Sequence, residues 1–280
     1  MQQIQKIETL REQLALIRKA KKKIALVPTM GNLHQGHLSL VTKAKQHADY
    51  IVVTIFVNPS QFVAGEDFEH YPRTLDADLE MLKEMNVDLV FIPQTEEIYP
   101  DSDQMKTEVT VPELDSIYCG KYRPGHFNGV ATVVTKLFNM VQPDVAIFGE
   151  KDFQQLLVIR RLVKDLNIPV EIIGAPIVRE RDGLAMSSRN QYLTESERAQ
   201  APELFKCLNK MADAIKQGDS NYKKLEMEAV DELLANGFKP EYVGICDAET
   251  LKTPINHKLV IIAAAWLGNA RLIDNVAVQT

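Results

Sequence analysis

The sequence has few cysteines, no excess of positive charge, no long hydrophobic run and no internal repeat. Its three cysteines, Cys119, Cys207 and Cys246, lie far apart with no Cys-x-x-Cys spacing. That pattern excludes a disulfide framework and a cysteine-based zinc site, and fits a reducing, cytoplasmic setting. Lys and Arg number 32 against 38 Asp and Glu, a formal charge of −6. A dedicated nucleic-acid binder gains its affinity from clustered cations, so no nucleic-acid partner is expected and any phosphate site must be local. The one basic cluster, Arg18, Lys19 and Lys21 to Lys23, closes an N-terminal stripe of Ile4, Ile7, Leu10, Leu14 and Ile17, and reads as a solvated helix end. The longest apolar run, Leu259 to Leu267, is too short to span a bilayer, and the N-terminus carries Gln and Glu where a signal peptide would be apolar. No membrane partner is expected.

What is present is the balance of a globular protein, 45% hydrophobic and 25% charged over 280 residues, enough for two domains. Short apolar, β-branched runs at Lys23 to Pro28, Tyr50 to Val57, Val87 to Pro93, Val145 to Phe148 and Pro169 to Ile173 read as five parallel strands. Helical spacing fills the intervals at Leu38 to Ala48, Thr74 to Met85, Asn128 to Val141 and Asp152 to Leu166. The alternation predicts an α/β fold, a Rossmann-like doubly wound parallel sheet of order 3-2-1-4-5, over residues 1–176. In that order the first and fourth strands are neighbours, and a ligand belongs at the crevice outside their carboxyl ends. Residues 177–280 predict a smaller C-terminal α+β domain that closes over the site, with helices at Thr194 to Gln217 and Asn221 to Asn236. Strands at Glu241 to Cys246, Leu259 to Leu267 and Ala270 to Val278 follow, the last two joined by a Gly268-Asn269 hairpin signal.

Polar, glycine-containing segments follow the first and fourth strands: Pro28-Thr-Met-Gly-Asn-Leu-His-Gln-Gly-His37 and Phe148-Gly-Glu-Lys-Asp152. Gly31 and Gly36 let the backbone turn and approach a phosphate, and the helix that starts near Gly36 aims its unpaired amides and positive dipole end there. His34 and His37 can donate protons to an oxygen that gains charge as an α-phosphate is attacked. Two plainer readings compete. The imidazoles could cap the helix, or, three residues apart, bind zinc, although no further His or Cys lies near to complete a set. A third loop, Arg179 to Asn190, holds Met186-Ser-Ser-Arg189, two hydroxyls and a fixed charge able to grip departing pyrophosphate. Alone, such a triplet is an ordinary surface loop or cap.

Together, His34-Gln-Gly-His37 and Met186-Ser-Ser-Arg189 resemble the HIGH and KMSKS signatures of the nucleotidylyltransferase superfamily. The chain more closely resembles the pantothenate synthetase (pantoate–β-alanine ligase) family. The resemblance rests on Pro28-Thr-Met-Gly31, Phe56-Val-Asn-Pro-Ser-Gln-Phe62, Tyr71-Pro-Arg-Thr74, Arg123-Pro-Gly-His-Phe127, Phe148-Gly-Glu-Lys-Asp-Phe-Gln-Gln155 and Met186-Ser-Ser-Arg-Asn190, and runs over nearly the whole chain.

The resemblance implies ATP at Met30, Gly31, Asn32, Leu33, His34, Gln35, Gly36 and His37, at Gly149, Glu150, Lys151 and Asp152, at Val178, and at Met186, Ser187, Ser188 and Arg189, with His37 the proton donor. Pantoate would meet Gln61 and Gln155, neutral amides able to bond hydroxyls and a carboxylate without a competing ion pair. Asn58 shares the acid pocket and Phe62 covers its apolar part. Lys151 offsets charge at the α-phosphate; Asp152 binds the ribose or orients a neighbour. Mg²⁺ should accompany ATP, with its protein ligands unassigned: near Tyr71-Pro-Arg-Thr74 only Asp78 matches the acidic positions of some relatives. The implied reaction forms pantoyl adenylate and pyrophosphate, then pantothenate and AMP as the β-alanine amine attacks. A homodimer is implied too, with Arg123 to Phe127 an interface or lid element. Two rivals remain: another adenylate-forming transferase, separable by substrate-dependent exchange, and a catalytically silent nucleotide sensor or RNA-binding relative, separable by its lack of turnover.

Overall fold

The structure, a computed structural model, describes residues 1–100, 107–255 and 258–279. The chain divides into two compact units, residues 1–150 with 158–176, and residues 151–157 with 177–280.

Through the sheet of the first unit run β1 (Gln2–Ile4), α1 (Ile7–Lys19), β2 (Ile24–Thr29), α2 (Gln35–Ala44), β3 (Tyr50–Ile55), α3 (Leu75–Glu84), β4 (Leu89–Phe91), α4 (Thr95–Ile98), α5 (Cys119–Tyr122), α6 (His126–Val141), β5 (Val145–Gly149), α7 (Phe153–Asp165) and β6 (Glu171–Ala175). The division between units runs through α7. Strands β2, β3 and β5 are buried along nearly their whole length. Strands sandwiched between helices lose the apolar–polar alternation of half-exposed ones, which is why they read as continuous apolar runs. The sheet order is β1-β4-β3-β2-β5-β6, with every pair parallel. The 3-2-1-4-5 core is therefore present, and Ala25 and Leu26 of β2 pair with Val145 and Ala146 of β5 as expected. Val27, Val41, Ala44, Val53, Leu82 and Ile147 share one apolar cluster on this sheet.

One edge departs from expectation. Gln2–Ile4 forms a sixth strand paired with Leu89–Phe91, so Ile4 belongs to the sheet and not to the helical stripe, which begins at Ile7. Only Ile4 of the three residues is buried, so the local pattern is too short to reveal a strand whose pairing partners lie 87 residues away.

The second unit holds α8 (Glu195–Gln200), α9 (Glu203–Lys216), α10 (Tyr222–Ala235) and an antiparallel sheet β7-β8-β9 (Lys239–Asp247, Lys258–Leu267, Ala270–Gln279). Leu267 pairs with Ala270 across the Gly268-Asn269 turn. The single helix expected from Thr194 to Gln217 is two: Pro202 caps α9 with φ −62°. A proline ring has no N–H to donate to the preceding turn and clashes with it, so the helix restarts there. Leu204, Leu208, Met211 and Ile215 of α9 pack with Leu233, Phe238 and Ile261 in the core of this unit.

Candidate active site

In the first unit the loop after β2 is built around two features. Gly31 has φ +80°, and a Cβ there would sit 3.0 Å from Asp78 Oδ2 and 3.1 Å from Ile55 Cγ2. Both the left-handed conformation and the closeness of Asp78 demand glycine. Asp78, buried in the first turns of α3, accepts hydrogen bonds from the amides of Asn32 (2.8 Å) and Leu33 (2.9 Å) and from the Thr74 hydroxyl (3.0 Å). This carboxylate clamps the loop, with both oxygens engaged by protein donors. The sequence offered it only as a metal-position match; its helical spacing from Thr74 was the signal for its actual partners.

The two histidines cap α2. His34 is the N-cap, and its Nδ1 accepts from the Gly36 amide at 3.1 Å; His37 Nδ1 accepts from the His34 amide at 3.3 Å. The rings lie 4.2 Å apart, centroid to centroid. A nitrogen that accepts from an N–H carries no proton, so in each neutral ring the proton resides on Nε2. Helix capping thus uses the Nδ1 of each ring, with the ring proton on the other nitrogen. The same pattern puts the helix start, with its positive dipole end, beside two imidazole N–H donors. Among the described residues no group of three or more His, Cys, Asp or Glu could hold a metal ion, which leaves the zinc reading of His34 and His37 without partners.

Asn58 and Gln61 bracket a short 3₁₀ turn after β3. The Asn58 side chain is buried; its Oδ1 accepts from the Ser60 hydroxyl (3.0 Å) and the Tyr99 hydroxyl (2.8 Å), and its Nδ2 donates to Gln61 Oε1 (3.1 Å). Gln61 Nε2 in turn lies 2.9 Å from the Met30 sulfur. The structure therefore brings Met30, Asn58 and Gln61 together in one unit with the His34–His37 helix start. Phe62 meets Phe68 (5.2 Å) and Tyr71 (5.7 Å) edge-on. Burial raises the Tyr99 phenol above its ordinary value, opposed by its bonds to Ser60 and Asn58, so it stays a neutral donor. Gly149 ends β5, and Glu150 begins the 3₁₀ turn Glu150–Asp152.

In the second unit, Lys151 and Asp152 lie in that turn and Gln155 in the first turn of α7. The Lys151 carbonyl accepts from Asn275 Nδ2 of β9 at 3.1 Å. Val178 and Met186 are joined by a backbone bond of 3.0 Å, so the intervening residues form a tight hairpin that delivers Ser187 to Arg189 to a short 3₁₀ turn. Ser187 caps it, its Oγ accepting from the Arg189 amide at 3.3 Å, and Asn190 Nδ2 braces it on the Ala185 carbonyl at 3.1 Å. The hairpin is fixed at its root by Arg179. This guanidinium forks onto Asp274 (2.6 and 2.8 Å), donates to the Gly183 carbonyl (3.0 Å) and stacks 3.5 Å over the Phe205 ring. Asp274 and Asn275, adjacent on β9, thus hold the Met186–Arg189 hairpin and the Lys151 backbone. Neither residue stands in a recognisable motif, and 95 residues separate Arg179 from Asp274, so no local pattern could reveal the pair.

These loops carry a family's signature as well as a geometry. The model of the pantoate-beta-alanine ligase family matches residues 2–277. The chain belongs to the pantoate-beta-alanine ligase family. It is 54% identical over 275 residues to the pantothenate synthetase of Pseudomonas entomophila, covering 96% of each chain. To the pantothenate synthetase of Marinobacter nauticus it is 54% identical over 280 residues, covering 99% of each. The crystal structure of the Thermus thermophilus pantothenate synthetase superposes with a TM-score of 0.92 at 44% identity over 99% of both chains. The pantoate-beta-alanine ligase of Francisella tularensis, solved with beta-gamma ATP and beta-alanine, gives 0.81 at 36% identity over 99% of this chain and 97% of that one. Among the described residues no helix is long and apolar enough to cross a membrane.

Proposed function

We propose that this chain condenses pantoate with β-alanine in an ATP-dependent reaction that passes through pantoyl adenylate and releases pyrophosphate and AMP. A carboxylate is a poor acyl donor near neutral pH. Attack of its oxygen on the α-phosphorus forms a mixed anhydride as pyrophosphate leaves, and the β-alanine amine then attacks the acyl carbon, with AMP the leaving group. The observation that carries the reading is the paired Nδ1 capping of His34 and His37, which puts the ring proton of each on Nε2 at the start of α2, where an oxygen that gains charge at phosphorus would be stabilised.

In this reading ATP contacts Met30 to His37, Gly149 to Asp152, Val178 and Met186 to Arg189. His37 and His34 stabilise the oxygens of the α-phosphate, and Lys151 supplies a fixed positive charge there. Ser187, Ser188 and Arg189 take the β- and γ-phosphates; Gln61 and Gln155 take pantoate. Asn58 acts through its neighbour: buried, it donates to Gln61 Oε1 at 3.1 Å and so orients the Gln61 amide toward an acid that also carries hydroxyls. Mg²⁺ belongs to the proposal as a companion of the triphosphate. Asp78 accepts from three protein donors, and an ion of this kind usually keeps water and phosphate oxygens as ligands. No step is assigned to it.

A cytoplasmic homodimer completes the proposal. The three cysteines are free and buried, which suits a reducing compartment, and light scattering at twice the 31.6 kDa chain mass would support the dimer. The deciding experiment is ATP–pyrophosphate exchange with pantoate against a panel of other small acids. Exchange that requires pantoate is expected, and exchange indifferent to pantoate would sink the substrate reading.

A further inference from the structure

Among the motifs of the sequence, Arg123-Pro-Gly-His-Phe127 is one to which the reaction gives no task. The structure seats it against the turn that carries Gln61. Arg123 closes α5 and His126 opens α6. His126 Nδ1 lies 2.7 Å from the Gln61 carbonyl oxygen, and its Nε2 lies 2.9 Å from Arg123 Nη1. A carbonyl only accepts and a guanidinium only donates, so both distances are satisfied by one species: neutral His126 with its proton on Nδ1.

The other edge of Arg123 forks onto Glu66 through Nε and Nη2, the latter at 2.8 Å, and Nη2 also reaches the Gln61 carbonyl at 3.4 Å. Glu66 Oε2 accepts from the Val63 amide at 3.1 Å. The arginine and glutamate side chains are each only 15% exposed, and His126 is 7% exposed. A forked, sheltered pair of this kind holds its geometry, unlike a mobile surface pair. Residues 61–66 are therefore gripped at both ends, through the carbonyl of Gln61 and the carboxylate of Glu66. One turn further along α6, Gly129 packs on the same segment so closely that a Cβ there would fall 2.0 Å from the Ser60 carbonyl oxygen.

We propose that Arg123 and His126, with Glu66, are positioning residues that set the place of the Gln61 amide and thereby the affinity for the acid substrate. The inference rests on the reading of Gln61 as a pantoate contact. A binding group misplaced by a fraction of an ångström loses much of its effect, and a backbone anchored at its own carbonyl cannot drift. Because the network grips residues 61–66 and not the Gly31–His37 loop, its loss should fall on the acid and spare the nucleotide.

The test compares pantoate-dependent ATP–pyrophosphate exchange in the wild type and in Gln61→Ala, His126→Ala, His126→Asn and the Gln61→Ala/His126→Ala double variant. His126→Ala is expected to raise KM for pantoate about tenfold while KM for ATP stays within about twofold. His126→Asn places an amide N–H where Nδ1–H stood and should recover pantoate KM to within about threefold of wild type. The double variant should be no worse than Gln61→Ala, because the two act through one group. Equal changes in both KM values, no rescue by asparagine, or additive losses in the double variant would each overturn the inference. If Gln61→Ala leaves pantoate KM unchanged, the assignment of Gln61 itself falls; if it raises pantoate KM and His126→Ala does not, only the positioning role falls. Should His126→Ala fail to fold, Arg123→Lys decides: a lysine keeps the charge but cannot span Glu66 and His126, so unchanged pantoate KM there overturns the proposal.

Discussion

At the scale of single residues, the two ring nitrogens of His34 separate two functions that substitution usually confuses. Asparagine is among the best N-cap residues, and its Oδ1 can accept from the Gly36 amide where Nδ1 does now. His34→Asn should therefore keep the thermal midpoint of the wild type while adenylate formation falls by about 10²-fold or more, as for loss of one preorganised donor. Single-turnover rates and melting curves on the same sample check this; wild-type rates would reduce His34 to a cap. Thr54 offers a contrast. Its side chain is 1% exposed, and its hydroxyl has no hydrogen-bond partner among the described residues. Thr54→Val removes that buried hydroxyl at nearly constant shape and should stabilise the protein by about 1 kcal/mol, read from urea midpoints. Burial pushes the Cys207 thiol up to about 11, so at neutral pH it remains protonated. Native protein should leave it unmodified by iodoacetamide, with alkylation appearing only on unfolding. The capping of α2 by His34 and His37 was legible as one of the readings of their position at a helix start. The tautomers were not, since they depend on which amide each ring meets.

Among the elements, α3 does more than cover the sheet. Its Asp78 ends where three donors need it, and this explains why the β2–α2 loop can hold a left-handed Gly31 and Asn32 (φ +80° and +50°) without regular structure of its own. Asp78→Ala would strand two buried amides and the Thr74 hydroxyl. The expected cost is about 3 kcal/mol, together with an increase of about tenfold in KM for ATP, because the phosphate loop loses its clamp. Denaturant unfolding and nucleotide-dependent exchange measure the two effects separately, and a stable Asp78→Ala enzyme with ordinary ATP affinity would show the clamp to be dispensable. The buried strands were legible as continuous apolar runs and the long helices by their apolar period. Two features were not. Strand β1 is three residues long and draws its pairing from β4, and the break between α8 and α9 turns on a single proline inside a stretch of otherwise helix-favouring residues.

At the scale of the whole chain, the least legible feature is the one that ties the last strand to the Met186–Arg189 hairpin. Asp274 is 3% exposed and shares both oxygens with Arg179, whose guanidinium also stacks on Phe205. Burial raises the Asp274 carboxyl above its ordinary range, against the opposing pull of Arg179. Two effects compete: desolvation disfavours both charges, and the forked geometry with the Gly183 carbonyl satisfies them. Breaking the pair leaves a charge buried without its partner, which typically costs about 3–5 kcal/mol, whereas removing both charges costs far less. Asp274→Asn should therefore destabilise strongly, and Arg179→Met/Asp274→Leu should recover much of that loss in a double-mutant cycle. Activity should separate from stability in the same variants. Without Arg179 the Ser187–Arg189 turn loses its root, so the double variant, though stable, should form pantoyl adenylate about tenfold more slowly or worse. A double variant that is both stable and fully active would mean that β9 supports the fold of this unit and not its chemistry.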